Sequence, residues 1–251
     1  MSGFTGDLLV IVPSRGRPKN IARLLDSLRE TSKLRTHLHV CVDDDDPALP
    51  DYERVMNHAG REDDVLERGP RKGLAEWTNE IAVRRASQYA YLASFGDDHV
   101  PQTLGWDYFL IRAIEDSGGT GFSYPWDGAD IPQAVVVSSD IVRKLGWFCE
   151  PSLNHWYVDN VWLDLGLGAD CIRHCRVVSV DHAHPGTGKA PVDKTYTEAS
   201  PRIAADREAY YRWYRERMTT DVAKITALRE KGQVLHTGGL DLQGQGILAS
   251  G

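Results

Sequence analysis

The sequence predicts an α/β fold built on a mostly parallel sheet flanked by helices, and two patterns carry that expectation. Over the first hundred residues, short runs of aliphatic and β-branched side chains alternate with segments whose apolar residues recur at helical spacing, the order that produces parallel strands joined by crossover helices. The run Tyr91-Leu-Ala-Ser-Phe95 then stops at Gly96 and is followed by Asp97, Asp98 and His99. This puts two carboxylates and an imidazole at the carboxyl end of a buried strand, where ligands bind in open α/β sheets. Oxygen and nitrogen donors packed this closely suit Mg2+ or Mn2+ bridging carboxylates to substrate phosphates. Alternation along an extended segment would point Asp97 and His99 one way and Asp98 the other. The competing reading is a polar turn with no ligand.

The 251 residues suffice for one large domain with an extension. A net charge of −7 gives no general attraction to nucleic acid, although it does not exclude a local basic patch. No apolar run reaches membrane-span length and the first residues lack a basic-then-apolar signal pattern, so the expected location is cytoplasmic. The four cysteines make no disulfide framework, and Cys171-Ile-Arg-His-Cys175 lacks the second pair a zinc site needs, so these read as free thiols.

In chain order, Asp7-Leu-Leu-Val-Ile-Val-Pro13 reads as a buried strand ended by the turn Ser14-Arg-Gly-Arg-Pro18. A helix follows, with Ile21, Leu24, Leu25 and Leu28 on one face. Backbone amides, the Ser14 hydroxyl and the Arg15 and Arg17 guanidinium groups near a helix N-terminus form an environment for a diphosphate. Solvated turn residues are the alternative.

The second strand, His37 to Val42, runs into Asp43-Asp-Asp-Asp46 and Pro47. Asp46 or Asp51 is placed to cap the helix carrying Tyr52, Val55 and Met56. Asp43, at the strand tip, is left to accept hydrogen bonds from a base or ribose. A short strand and the basic loop Gly69-Pro-Arg71-Lys-Gly73 then lead to a helix over Leu74 to Ala86, which delivers the chain to the central strand.

The order of these features resembles the GT-A fold of nucleotide-sugar-dependent glycosyltransferases, a Rossmann-like α/β architecture. It is closest in pattern to the inverting family-2-like enzymes and their bacteriophage-encoded relatives. The resemblance spans residues 7 to 197 and rests on Pro-Ser-Arg-Gly-Arg-Pro after strand one, an acidic end to strand two, Lys72-Gly73 with Ala75 and Asn79, and Gly-Asp-Asp-His. It implies donor contacts from Pro13, Ser14, Arg15, Asp43, Arg71, Asn79 and Asp97, with Asp43 on the base of a UDP-sugar. It also places Asp98 and His99 at the metal motif, with His99 standing where an Asp is usual.

In the second half, helices over Tyr108 to Ile114 and Ile141 to Leu145 and strands over Gly121 to Tyr124 and Gln133 to Ser138 are expected. In His155-Trp-Tyr-Val-Asp159-Asn160, polar residues interrupt an apolar segment, which is costly unless they open into a site. The resemblance makes Asp159 the base that takes the acceptor proton, with Asp164 as the second candidate; a helix N-cap is the alternative. Trp126, Asp127, Trp156 and Asn160 are the candidate acceptor contacts. Val177 to His184 ends a strand with His182 and His184 on one face, and the resemblance implies one of them as a distal metal ligand. Lys189 and Tyr196 then fall where donor phosphate contacts are expected, on a loop that closes over the nucleotide.

Residues 1–200 are therefore read as a GT-A domain, with its nucleotide-binding half about 1–100 and its acceptor half about 101–200. A helical extension follows at 201–231, carrying Tyr210, Tyr211, Trp213 and Tyr214 among arginines, and then a Gly-rich tail at 232–251. The expected function is metal-assisted transfer of a hexose from a UDP-sugar to a hydroxyl, with Mn2+ or Mg2+. The resemblance to phage-encoded members implies hydroxymethylated pyrimidines in DNA as acceptor, and a host-cytoplasm location if the chain is phage-encoded. A glycan or other small hydroxyl acceptor is the alternative. Rival classes are a metal-dependent phosphohydrolase or nucleotidyltransferase, since Asp/His clusters also serve two-metal chemistry, and a non-catalytic binding module.

Overall fold

The computed structural model describes residues 7–183 and 202–237. Strands β1 (Leu8–Ser14), β2 (Thr36–Asp43), β3 (Val65–Gly69) and β4 (Tyr91–Ser94) are joined by helices α1 (Pro18–Thr31), α2 (Leu49–Ala59) and α3 (Leu74–Arg85). Then come β5 (His99–Pro101), α4 (Trp106–Glu115), β6 (Phe122–Trp126), β7 (Val135–Ser138), α5 (Ser139–Leu145), α6 (Val158–Gly168) and β8 (Ile172–His182). Two C-terminal helices close the described chain, α7 (Ile203–Glu216) and α8 (Met218–Thr237). The eight strands lie in the order β3-β2-β1-β4-β7-β6-β8-β5.

The first four strands are parallel, as the alternating sequence pattern requires. β7 is antiparallel to both β4 and β6, which makes the sheet mixed beyond its first half. β1 alternates its side chains between two cores. Leu8, Val10 and Val12 join α1 and α4 on one face, while Leu9 and Ile11 join α3, α5 and α6 on the other. A strand coated on both sides must be continuously apolar, which accounts for the Leu-Leu-Val-Ile-Val run. α1 presents Ile21, Leu24, Leu25 and Leu28 to the sheet and begins with Pro18, whose fixed φ suits a first helical position.

The chain leaves β1 toward β2 on one side while β4 lies on the other. The carboxyl ends of β1, β2 and β4 therefore frame the crevice in which such sheets bind ligands.

Two local expectations are corrected, and β8 proves longer than its sequence pattern alone defined. Neither Asp46 nor Asp51 caps α2, whose N-cap is Ala48 with no side-chain cap. Instead the buried Asp46 carboxylate accepts the Gly16 N–H at 2.7 Å and the Ala48 N–H at 2.9 Å, pinning the loop after β1. The C-terminal extension is two helices, because Arg217 leaves helical geometry. There the buried Asp221 gathers the Trp213 indole N–H, Arg217 and Lys224. β8 is one strand of eleven residues; it runs parallel to β6 through an irregularity at Pro125/Trp126 and then pairs antiparallel with β5.

Candidate active site

The β5–β8 pairing builds the site. Its register sets His99 opposite His182, and the two imidazoles stack with ring centroids 4.1 Å apart. The expected strand alternation at residues 97–99 does not hold. Asp97 and Asp98 sit in a turn closed by the His99 N–H donating to the Gly96 carbonyl, 3.1 Å. The turn brings Asp98 and His99 together with His182, their donor atoms within 4.8 Å of one another, and turns Asp97 back toward β1 and α1. Gly96 leaves room for them, since a Cβ there would lie 2.6 Å from Asp98 Oδ1 and 2.8 Å from His99 Nδ1 and would force those side chains to shift.

This donor set fits a divalent cation. His182 Nδ1 lies 3.1 Å from Gln133 Oε1 and its Nε2 3.6 Å from Asp98 Oδ2; the tautomer that donates from Nδ1 to Gln133 is the one that turns the Nε2 lone pair toward Asp98. His99 is held differently: its Nδ1 accepts the Gly96 N–H at 2.8 Å. Asp98, His99 and His182 are thus the group of donors that could hold a cation, with the His99 Nδ1 bonded to the Gly96 N–H.

Asp97 is occupied by the chain itself. Its Oδ2 accepts the Ser14 hydroxyl at 2.6 Å, and its Oδ1 accepts Arg17 at 3.2 Å and Asn20 at 3.4 Å. Burial pushes its carboxyl up to about 6 against the pull of Arg17. Asp43, also buried, accepts the Trp77 indole N–H at 2.8 Å and the Lys72 N–H at 3.1 Å on one oxygen, and Arg15 at 3.0 Å on the other. The tips of β1, β2 and β4 and the loop before α3 are thereby tied into one polar wall.

A cleft of about 480 Å³ runs along this wall, within the range of small-molecule sites. Pro13, Ser14, Arg15, Asp43, Arg71, Asp97, Asp98, His99 and His182 line it from the sheet side. Across from them, Trp156 and Asp159 belong to the segment that opens α6. Asp159 is not the N-cap; that position is Tyr157, with φ 68°, and Asp159 lies in the first turn. Burial raises its carboxyl pKa, and the Asp127 carboxylate adds to the rise, which moves a carboxylate toward the range of a general base.

Several expected site residues are elsewhere. Asn79 does not line the cleft: its amide accepts the Phe148 and Cys149 N–H groups at 2.7 and 2.8 Å and donates to the Cys149 carbonyl at 2.7 Å, fastening the loop after α5. Trp126 is 39% exposed and stacks on His174 outside the cleft. Asn160 is not in the lining either, and Asp164 accepts the Tyr210 hydroxyl at 2.7 Å. Asp127 stands behind the cluster, with Oδ2 4.0 Å from His99 Nε2. His184, Lys189 and Tyr196 lie outside the described residues. The cleft adds Arg17, Gln133, Asn154, His155 and Arg202, of which only Arg17 lay in a turn already read as anion-binding. The cysteines join no group of metal donors among the described residues.

No family model matches the sequence, and no curated protein matches it. Solved structures do. The mannosyltransferase PcManGT from Pyrobaculum calidifontis, in complex with GDP-Man and Mn2+, superposes with a TM-score of 0.61 at 13% identity over 96% of this chain and 81% of that one. S. aureus TarS in complex with UDP-GlcNAc gives 0.52 at 14% identity over 95% and 76%. Glucosyl-3-phosphoglycerate synthase from Mycobacterium tuberculosis, with Mn2+, UDP and glucosyl-3-phosphoglycerate, gives 0.53 at 13% over 73% and 75%. Likeness at these identities is a statement about architecture, and the architecture of this chain is the GT-A glycosyltransferase fold.

Proposed function

We propose that the protein is a metal-assisted glycosyltransferase that moves a hexose from a UDP-sugar to a hydroxyl acceptor in one inverting displacement. The observation that carries this reading is that Asp98, His99 and His182 share one cleft with Asp159, at the carboxyl edge of a GT-A sheet. A divalent cation held by Asp98 and His182, with His99 beside them, would neutralise charge on the departing diphosphate. Imidazole in the donor set favours Mn2+ over Mg2+, which prefers oxygen ligands. Arg15 and Arg71 add positive charge along the sheet side of the cleft. Asp159 takes the acceptor proton as the acceptor oxygen bonds to the anomeric carbon, and the bond from that carbon to the diphosphate oxygen breaks on the opposite face. By the family resemblance, Lys189 and Tyr196 would contact the donor phosphates and His184 would be a second candidate for the distal ligand.

For the acceptor we propose a hydroxymethylated pyrimidine in DNA, as in phage-encoded enzymes of this pattern. Support comes from α7, which turns Arg207, Tyr211, Arg212, Tyr214 and Arg215 to solvent beyond Arg202 at the cleft. Cations interleaved with aromatic rings suit a nucleic-acid strand. The test is transfer of labelled hexose from UDP-sugars, with Mn2+, to hydroxymethylated DNA, unmodified DNA and oligosaccharides in parallel. Label on hydroxymethylated DNA alone, weakening steeply with salt, is expected. Label on oligosaccharides alone would move the acceptor to a glycan, and phosphate release without transfer would move the function to hydrolysis.

A further inference from the structure

The segment that carries Asp159 into the cleft is fastened from outside the sheet. Asp206, in the first turn of α7 and buried, accepts three consecutive backbone N–H groups: Asn154 at 3.0 Å, His155 at 3.0 Å and Trp156 at 2.8 Å. Successive N–H groups converging on one point form a concave anion site, and here the anion is an internal carboxylate. The next residue, Tyr157, takes φ 68° and opens α6, with Asp159 at its second position.

Other contacts from α7 and the residues flanking it act on this segment and on Glu150 just before it. Arg202 donates to Asn154 Oδ1 at 2.7 Å, Tyr210 stacks on Tyr157 with centroids 5.2 Å apart, and Arg217 bonds Glu150 at 3.2 Å. From the opposite side, the Asn154 carbonyl accepts the Ala75 N–H at 3.0 Å, and Gly73 lies so close that a Cβ would meet Asn154 Nδ2 at 2.5 Å.

We propose that Asp206 is a positioning residue for the transfer step: α7 holds the 154–157 turn in the shape that aims Asp159. This rests on the glycosyltransferase reading above. Donor and cation sites are built from the sheet side, so removing Asp206 should spare them while the transfer step suffers. A displacement of the base on the order of 1 Å costs about 100-fold in rate.

The test compares Asp206→Ala, Asp206→Asn and wild type, with and without added acetate as a replacement carboxylate. Hydrogen exchange at the amides of residues 154–156 should accelerate in both variants. kcat should fall about 100-fold with KM for the donor and the nucleotide-induced melting shift retained, and acetate should restore both protection and kcat in Asp206→Ala. Fast-exchanging amides with wild-type kcat would overturn the proposal. So would joint loss of donor binding and cooperative melting in both variants, which would mark Asp206 as a general stability residue. If wild type turned over no nucleotide sugar, the proposed function would fail, and the exchange data with acetate would still decide whether the clamp exists.

Discussion

Gln133→Leu tests the proposed cation site apart from the rest of the protein, because Gln133 touches His182 and bears no charge of its own. The leucine side chain keeps much of the volume but removes the acceptor 3.1 Å from His182 Nδ1, and with it the reason for the proton to stay there. A neutral hydrogen bond of this kind is worth about 0.5–1.5 kcal/mol net, rising to roughly 1.5–3 kcal/mol when one partner carries charge, as an imidazole does when it ligates a cation. At about 1.4 kcal/mol per decade, that larger range corresponds to a loss in Mn2+ affinity of about 10- to 100-fold, the usual effect of removing the partner that orients a ligating histidine. The assay is titration of nucleotide-free protein with Mn2+, following the spin-resonance signal of the free ion, alongside thermal melting to confirm the fold. Gln133→Glu, which still accepts from Nδ1, should bind at least as well as wild type. An unchanged affinity in a normally melting Gln133→Leu protein would refute the assignment of His182 as a cation ligand through Nε2.

Other outcomes follow from the same geometry. Gly96→Ala should abolish Mn2+ binding while leaving helix content intact, since its Cβ would collide with Asp98 and His99; isothermal titration checks this. Asp159→Asn should lower kcat by about 10²–10⁴ with donor binding preserved, the range for losing a general base. As the proposed base, Asp159 would work deprotonated, and burial raises its pKa. kcat/KM should therefore climb with pH along a limb displaced above the ordinary carboxylate range, and the limb should be absent in Asp159→Asn. Trp106→Ala, at a fully buried ring packed 5.2 Å from Phe95 behind the metal turn, should cost about 3–5 kcal/mol in chemical denaturation.

Most strands and helices of the first hundred residues were legible because the central strands are continuously apolar and the helices between them carry apolar residues at helical spacing, and the site edge was legible because apolar strands stop at Ser14, Asp43 and Gly96. Asp98, His99 and Asp159 stood out as polar groups in apolar surroundings. What sequence could not supply was pairing across distance. The β5–β8 register that brings His182 to Asp98 joins segments some eighty residues apart, and the turn at Asp97–Asp98 defeats the alternation an extended segment would show.

Asn79 is the converse case. Its position in the GT-A-like order suggested a donor contact, yet its partners are loop backbone 69 and 70 residues away, which no local pattern marks. Gln133 and Asp206 carry no signal of their own, since an amide beside a strand and an acid in a helix's first turn are ordinary surface choices until their partners are seen. The break at Arg217 was hidden for a related reason: it sits beside the buried Asp221 network, which only the fold assembles, and Glu216 and Met218 on either side are good helix formers.

The measurement closest to the central claim is the melting temperature of the purified protein with UDP, GDP, CMP and TDP, each in Mn2+, in Mg2+ and in EDTA. A ligand at about a hundred times its Kd adds roughly 2.7 kcal/mol to the native state, which for a chain of this size raises Tm by about 5–10 °C. UDP should give a rise of that order in Mn2+, a smaller one in Mg2+ and none in EDTA. No rise with any nucleotide under any of these conditions would contradict a cation-dependent nucleotide-sugar site in this cleft.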